Sequence, residues 1–289
     1  MAERIVSQER EQALIQLLDD PSPVVQEALA AEFKRIGPAG VSILQKAVRE
    51  SGEAARHQAR QLLENLVEPD PSRMLVEFIR GLRYDLETGL YLINRVVNPG
   101  LEVKTLKDGL DTLARRCREI GVAPMSPKEQ CKLLNRVLFH EYGFRGNTED
   151  YEDPLNSCID AVFRRRKGLP ITLSAIYLLV AQRLGMQLEP ISLPGHFMVG
   201  CFQGGEPFYI DPFERGRFRS LSELGELLES QHVSPEFYHI APVPVGEVLC
   251  RVCRNLVVHF DKRNEPRWAN RFRSFVREFE QTHQRQSET

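Results

Sequence analysis

The feature that most restricts this 289-residue chain is a diglycine, Gly204-Gly205, set between two apolar, aromatic-rich runs. Such a pair signals a two-residue hairpin turn, because the favoured turns need positive φ at their central positions. If it is the turn, Gln203 lies opposite Glu206. Counting outward places Met198 opposite Asp211 and His196 opposite Phe213. Strand side chains alternate faces, so His196 and Asp211 share a face as diagonal neighbours. Their Cβ atoms then lie roughly 7 Å apart, within reach of an imidazole–carboxylate hydrogen bond. A carboxylate there fixes the tautomer of the imidazole, as in a catalytic dyad. The competing reading is structural. A His that follows Pro194-Gly195 can simply bond a nearby carbonyl, and Asp211-Pro212 can simply cap a turn.

Upstream of the hairpin, Gly168-Leu169-Pro170 reads as a helix start, with Pro at the first helical position and Gly185 as the stop. Residues 170–184 are apolar around most of the circumference, through Ile171, Leu173, Ala175, Ile176, Leu178, Leu179, Val180 and Leu184. That pattern predicts a buried central helix. The helix before it, expected over 155–166, ends in Arg164-Arg165-Arg166-Lys167. Cations at a helix C-terminus suit its dipole, which explains the run without a binding patch.

Composition narrows the function classes. Hydrophobic residues make up 42% and charged residues 27%, an ordinary soluble balance with enough apolar material for a sizeable core. A net charge of −2 supplies no global field for nucleic acid. No run of about 18 apolar residues is present to span a membrane, and Met1-Ala2-Glu3-Arg4 opens no signal peptide. Six cysteines in this length read as reduced thiols of a cytoplasmic protein. Cys250 and Cys253 form C-x-x-C in mid-helix with no second pair. His140, His196, His232, His239 and His259 are scattered, so neither a metal nor a cofactor is expected.

Residues 8–66 read as short amphipathic helices with clear punctuation. Ser22-Pro23 is a cap followed by Pro, and Gly37-Pro38 ends one helix and opens the next. Apolar positions Val24, Val25, Ala28, Leu29 and Phe33 recur at helical spacing, as do Val41, Leu44, Ala47 and Val48. The segment resembles HEAT-type repeats in Asp-Pro-Ser-Pro at 20–23 and Arg-x-x-Ala-x-x-Leu-Leu at 56–63. A plain helical extension packed on the core is the alternative. Val67-Glu68-Pro69-Asp70-Pro71 breaks any helix and marks a boundary. Helices follow near 72–80, 84–97 and 104–120. A capping box at Ser126-Pro127-Lys128-Glu129 opens one that runs to Tyr142-Gly143. After the hairpin a short helix begins at Leu221. Helices over 243–262 and 265–281 then close the chain as a TPR-like pair, with a disordered tail expected over 284–289.

Several ordered motifs resemble one bacterial family. They are Leu134-Asn135-x-Val137-Leu138, Gly143-Phe144-Arg145-Gly146-Asn147, Asp153-Pro154-x-Asn156-Ser157, the run from Arg166 through Ser174, Leu193-Pro194-Gly195-His196-Phe197 and Asp211-Pro212-Phe213. Together they are similar to the SirB-type branch of the transglutaminase-like superfamily over roughly residues 75–280. That branch carries the label of regulators. The resemblance implies an α+β, mostly helical fold: a papain/transglutaminase-like core with a small antiparallel sheet. The α-solenoid-like segment flanks it on the N-terminal side and the helical hairpin on the C-terminal side. The expected divisions are 1–69, 70–240 and 241–289.

The resemblance also implies a Cys-His-Asp triad, with the Cys at the N-terminus of the central helix, where the dipole favours thiolate. His196 and Asp211 match two positions of that triad. The Cys position falls near Pro170, which carries no nucleophile. Cys201 has the wrong strand parity; Cys158, on the preceding helix, is the first candidate for a displaced nucleophile and Thr172 the second. Thr172 and Ser174 lie in the first turns of the central helix, where a hydroxyl is a candidate substitute. The expectation is a non-catalytic regulatory or peptide-binding protein with a protein partner. Its retained pair is His196–Asp211, and its ligand contacts are Pro170, Thr172, Ser174 and Asn156. The alternative is an acyl-transfer or hydrolytic enzyme with a displaced nucleophile.

Overall fold

Proline and glycine punctuation sets most element boundaries. The computed structural model describes residues 6–66, 70–230, 232–234 and 237–287. The chain forms two compact units, Met1–Asp70 and Pro71–Thr289. Of the predicted linker, residues 67–69 lie outside the described residues, as do residues 1–5.

The first unit holds α1 (Gln8–Leu17), α2 (Pro23–Ile36), α3 (Pro38–Glu50) and α4 (Glu53–Leu66). Gly37, at φ +69°, reverses the chain between α2 and α3, a conformation that a side chain would strain. Leu29, Phe33, Leu44, Ala47, Ala59 and Leu62 close one apolar core. Phe33, Leu44, Ala47 and Ala59 have no exposed surface. Val24, placed by spacing on the apolar face of α2, is instead 76% exposed. It sits in the first helical turn, outside the ridge that Leu29, Phe33 and Ile36 present to α3.

The second unit begins with α5 (Pro71–Arg80), α6 (Leu86–Val97), α7 (Val103–Ile120) and α8 (Pro127–Asn135). Ser126 and Glu129 form the predicted capping box on α8. The helix expected to run on to residue 142 widens at Arg136 into a π-helical turn, Arg136–Glu141. The helix expected over 155–166 is split into a 3₁₀ turn, Pro154–Ser157, and α9 (Ile159–Arg165), because Cys158 between them is extended. Every residue of α10 (Pro170–Arg183) from Pro170 to Ala181 is buried.

Four antiparallel strands run in the order β3 (Glu189–Leu193), β4 (His196–Cys201), β5 (Phe208–Asp211) and β6 (Arg217–Arg219). The β4–β5 ladder pairs Val199 with Ile210 and Cys201 with Phe208, the register that the diglycine dictates. The ladder stops there, so 202–207 form a wider loop in which Gly204 and Gly205 take φ of +77° and +130°. A second, two-residue ladder joins β1 (Arg145–Gly146) in parallel to β2 (Lys167–Gly168). After α11 (Leu221–Ser230), α12 (Val245–Lys262) and α13 (Pro266–Ser287) pack together and share the core of α10. α13 continues helical through residue 287, where a disordered tail was expected; residues 288 and 289 lie outside the described residues.

Candidate functional site

The mouth of α10 is assembled from pieces far apart in sequence. The β1–β2 ladder brings Gly143–Asn147 against Arg166–Gly168, and Gly146 N–H donates to Phe213 O at 3.3 Å. A Cβ on Gly146 would come within 2.5 Å of the Phe213 ring, so only glycine lets the two segments touch. Arg166 takes left-handed φ, +58°, and lays its guanidinium over Phe144 at 4.5 Å. Five of the six sequence motifs therefore meet at one helix end.

Asn156 is the hub of that end and is fully buried. Its Oδ1 accepts from Asn147 Nδ2 at 2.9 Å and from Arg165 at 2.8 Å. Its Nδ2 donates to the carbonyls of Asp150 (2.7 Å) and Tyr151 (3.2 Å). Its backbone carbonyl accepts from Leu169 N–H at 3.2 Å and Thr172 Oγ1 at 2.8 Å. Both faces of the amide and its carbonyl are consumed, so Asn156 positions the helix start and offers no group to a ligand.

Beside this mouth stands the imidazole. His196 opens β4 after the Pro194-Gly195 reversal, where Gly195 has φ +65°. Asp211 closes β5 with no exposed surface. His196 Nε2 lies 2.8 Å from Asp211 Oδ2. A carboxylate only accepts, which makes Nε2 the protonated nitrogen and leaves Nδ1 as the acceptor of the neutral ring. Among the described residues Nδ1 has no hydrogen-bond partner. Asp211 Oδ1 accepts from the backbone N–H groups of Phe213 (3.1 Å) and Glu214 (3.2 Å), the Asx-turn that Asp-Pro favours. Asp211 thus makes two sets of contacts: one oxygen shapes the turn and the other bonds the imidazole. Phe213 stands edge-on to the imidazole at 6.1 Å.

The hydroxyls and thiols weighed as nucleophiles are buried. Pro170 is the first residue of α10 and is buried. Thr172 and Ser174 have no exposed surface. Thr172 Oγ1 is committed to Asn156 O, and Ser174 Oγ donates to Phe197 O at 3.3 Å. Both hydroxyls are thus engaged by backbone carbonyls near the helix start. Cys158 is fully buried with its Sγ 4.0 Å from Pro154 O, and burial pushes its thiol far above the usual range. Burial pushes Cys131 and Cys250 up to about 12 and raises the Cys253 thiol well above its ordinary value. Buried apolar thiols of this kind are inert, because the thiolate is the reactive form. Among the described residues no three His, Cys, Asp or Glu side chains converge as a metal site.

Two arginines belong to the site and were not anticipated. Arg219 on β6 reaches Asp211 Oδ2 at 3.5 Å and Glu214 at 2.9 Å. The ladder pairing Asp211 with Arg217 puts Arg219 on the same face, so strand parity beyond Asp211 would have found it. Arg251, on α12, donates to His196 O at 3.0 Å and to Ser192 Oγ, and lies over the Phe197 ring at 5.7 Å. It pins the strand end that carries the imidazole. Its approach depends on how α12 packs, and no local pattern announces it.

A family model described as "Transglutaminase-like superfamily" matches residues 104–254. A "UPF0162 protein" of Xylella fastidiosa (strain 9a5c) is 35% identical over 166 residues, 55% of this chain and 57% of that protein. A "UPF0162 protein" of Vibrio cholerae is 32% identical over 130 residues, 45% of this chain and 48% of that one. "F-box only protein 21" of Mus musculus is 39% identical over 132 residues, 43% of this chain and 21% of that protein. The chain thus spans about half the length of its bacterial relatives and about a fifth of the mammalian one. No solved structure gives a significant match.

Proposed function

This chain belongs to the transglutaminase-like superfamily, and from that premise we propose that it is a non-catalytic, peptide-binding regulatory protein of the SirB-type branch. The mouth of α10 would take an extended peptide or other acyl-containing ligand beside His196 and leave its amide bond intact. One observation carries the reading: a His–Asp pair is made at 2.8 Å while the helix start that should face it is Pro170. Without a nucleophile no acyl-enzyme forms. General-base help to water is worth about 10²–10⁴-fold, against the 10⁶-fold and more typical of enzymes. The free Nδ1 instead suits an acceptor for a ligand N–H.

The same core recurs as a fifth of a longer mammalian chain, which fits a portable recognition module. We assign residues 1–69 as a HEAT-like segment offering a partner surface, 70–240 as the core and 241–289 as a TPR-like hairpin. We assign the protein to the cytoplasm, since its six cysteines are free thiols. Among the described residues no helix is long and apolar enough to cross a membrane.

The alternative is an acyl-transfer or hydrolytic enzyme of protease, amidase or transglutaminase type. The intact pair with an unoccupied Nδ1 is the observation in its favour. Peptide and amide hydrolysis by the wild type and His196→Ala distinguishes the two. Turnover that is robust in the wild type and vanishes in the variant overturns the non-catalytic reading. A complementary test is Pro170→Cys treated with a nitrophenyl acetate ester. We expect acetylation at position 170 that falls when His196→Ala is added, and equal labelling in both variants would remove the helix mouth as an acyl-binding site.

A further inference from the structure

A second surface, independent of the reading above, lies on the far side of the turn that carries Asp211. α8 and the π-helical turn after it present Lys128, Lys132, Arg136 and His140 at steps of four residues, a spacing that keeps side chains on one helical face. Lys132, Arg136 and His140 line a cavity of about 490 Å³ whose other wall is Glu214–Phe218. That volume is in the range of ligand sites. Lys128 extends the stripe, its ammonium 5.5 Å from the Phe218 ring.

The charge on this surface is unbalanced. Glu214 is the single acid of the lining, and it is engaged by Arg219 at 2.9 Å. Arg217 is held by Glu223 at 2.6 Å and Arg136 by Glu141 at 3.2 Å. Lys132 and Arg215 are exposed and form no ion pair among the described residues. Arg215 is held outward by a left-handed backbone, φ +53°, an uncommon conformation for a residue with a side chain.

The floor adds a second indication. Asn135 is 8% exposed and lines the same cavity. Its Nδ2 donates to Gly216 O at 2.6 Å, while its Oδ1 is buried without a partner. An unpaired buried acceptor of this kind is an uncommon feature of a folded chain. The π-helical turn that follows Asn135 is itself a rare element, found frequently at functional sites.

We propose that this groove docks an acidic segment of a partner polypeptide, with carboxylates on Lys132 and Arg215. A polypeptide fits better than a compact phosphate. The cations are strung along 12 residues of helix, about 18 Å, rather than converging on one point. That length matches five or six extended residues at about 3.3 Å each. A single-stranded nucleic acid fits less well. Such grooves add exposed aromatic platforms for stacking bases, whereas Phe208 and Phe218 are here overlaid by Lys128.

The test is fluorescence anisotropy on the full chain with a labelled hexaglutamate peptide, a hexaglutamine peptide and a single-stranded hexanucleotide. Each is titrated at low and high salt. Hexaglutamate should bind at least tenfold more tightly than either of the others, and high salt should weaken it. The double reversal Lys132→Glu with Arg215→Glu should weaken it at least tenfold further. Arg164→Glu, a reversal on an exposed arginine outside the groove, should leave it unchanged. Circular dichroism melts of each variant separate lost binding from lost folding, and Lys132→Gln with Arg215→Gln serves if the reversals unfold. Absence of hexaglutamate binding, equal losses in the control, or preference for the oligonucleotide each overturns the assignment. None of these results depends on whether His196 binds or cleaves anything.

Discussion

The four-helix unit of residues 6–66 and the mouth of α10 are both well buried, yet different forces hold them. In the first, Leu29, Phe33, Leu44 and Ala59 meet across helix faces, and its ion pairs lie at the surface. Surface pairs contribute little, and burial of apolar area does most of the stabilising. In the second, a polar hub, Asn156, ties two carbonyls, three side chains and one backbone N–H around one helix start. Apolar contacts tolerate sliding, whereas hydrogen bonds specify position to a few tenths of an ångström. The difference separates a part that has only to be stable from a part that has to hold an imidazole in place.

Truncating the centre of each region is the strongest way to break that contrast. Phe33→Ala should cost about 3–5 kcal/mol by cavity formation, read as faster amide exchange in α2–α4. The His196–Asp211 pair should be unmoved, seen as an unchanged nitrogen-15 tautomer signature. Asn156→Ala should cost about 2–4 kcal/mol, because Arg165, Asn147 and the Tyr151 carbonyl lose their partner. Here amides of 147–157 and the start of α10 should open in exchange. Equal disturbance of the imidazole by both variants would erase the distinction.

A milder change sharpens it. Thr172→Val keeps the shape and removes one of two donors to the Asn156 carbonyl. It should lower stability by about 1 kcal/mol in urea titration.

Acidity gives the smallest effect and separates the regions by window. Burial holds His259, whose ring meets Tyr151 of the mouth loop, below its ordinary value of 6.5. The unfolded chain then binds a proton that the folded chain refuses, so stability falls as pH drops below about 6.5. His259→Gln should flatten this part of the profile, as followed by urea midpoints at several pH values. In the first unit, Arg35 and Arg10 hold half-buried Glu32 down to about 2, from an ordinary 4.5. Its contribution is present above 4.5 and is lost only as pH falls toward 2. Added salt should screen it.

Sequence pattern alone was sufficient wherever a periodicity or a turn residue acts locally. The diglycine dictated the β4–β5 register and hence the meeting of His196 with Asp211, because strand alternation has a period of two and admits no slip without exchanging faces. Pro170, Gly185 and the Ser126 capping box bounded their helices for equally local reasons. Tertiary structure alone decided what those elements surround. Residues 155–166 do not continue as one helix, since Asn156 bonds to three separate segments. Thr172 and Ser174 turn inward to carbonyls from other elements, and Arg251 arrives from α12. Such choices follow from which buried polar atoms need partners once the chain is packed. That requirement joins residues far apart in sequence, so no local pattern records it.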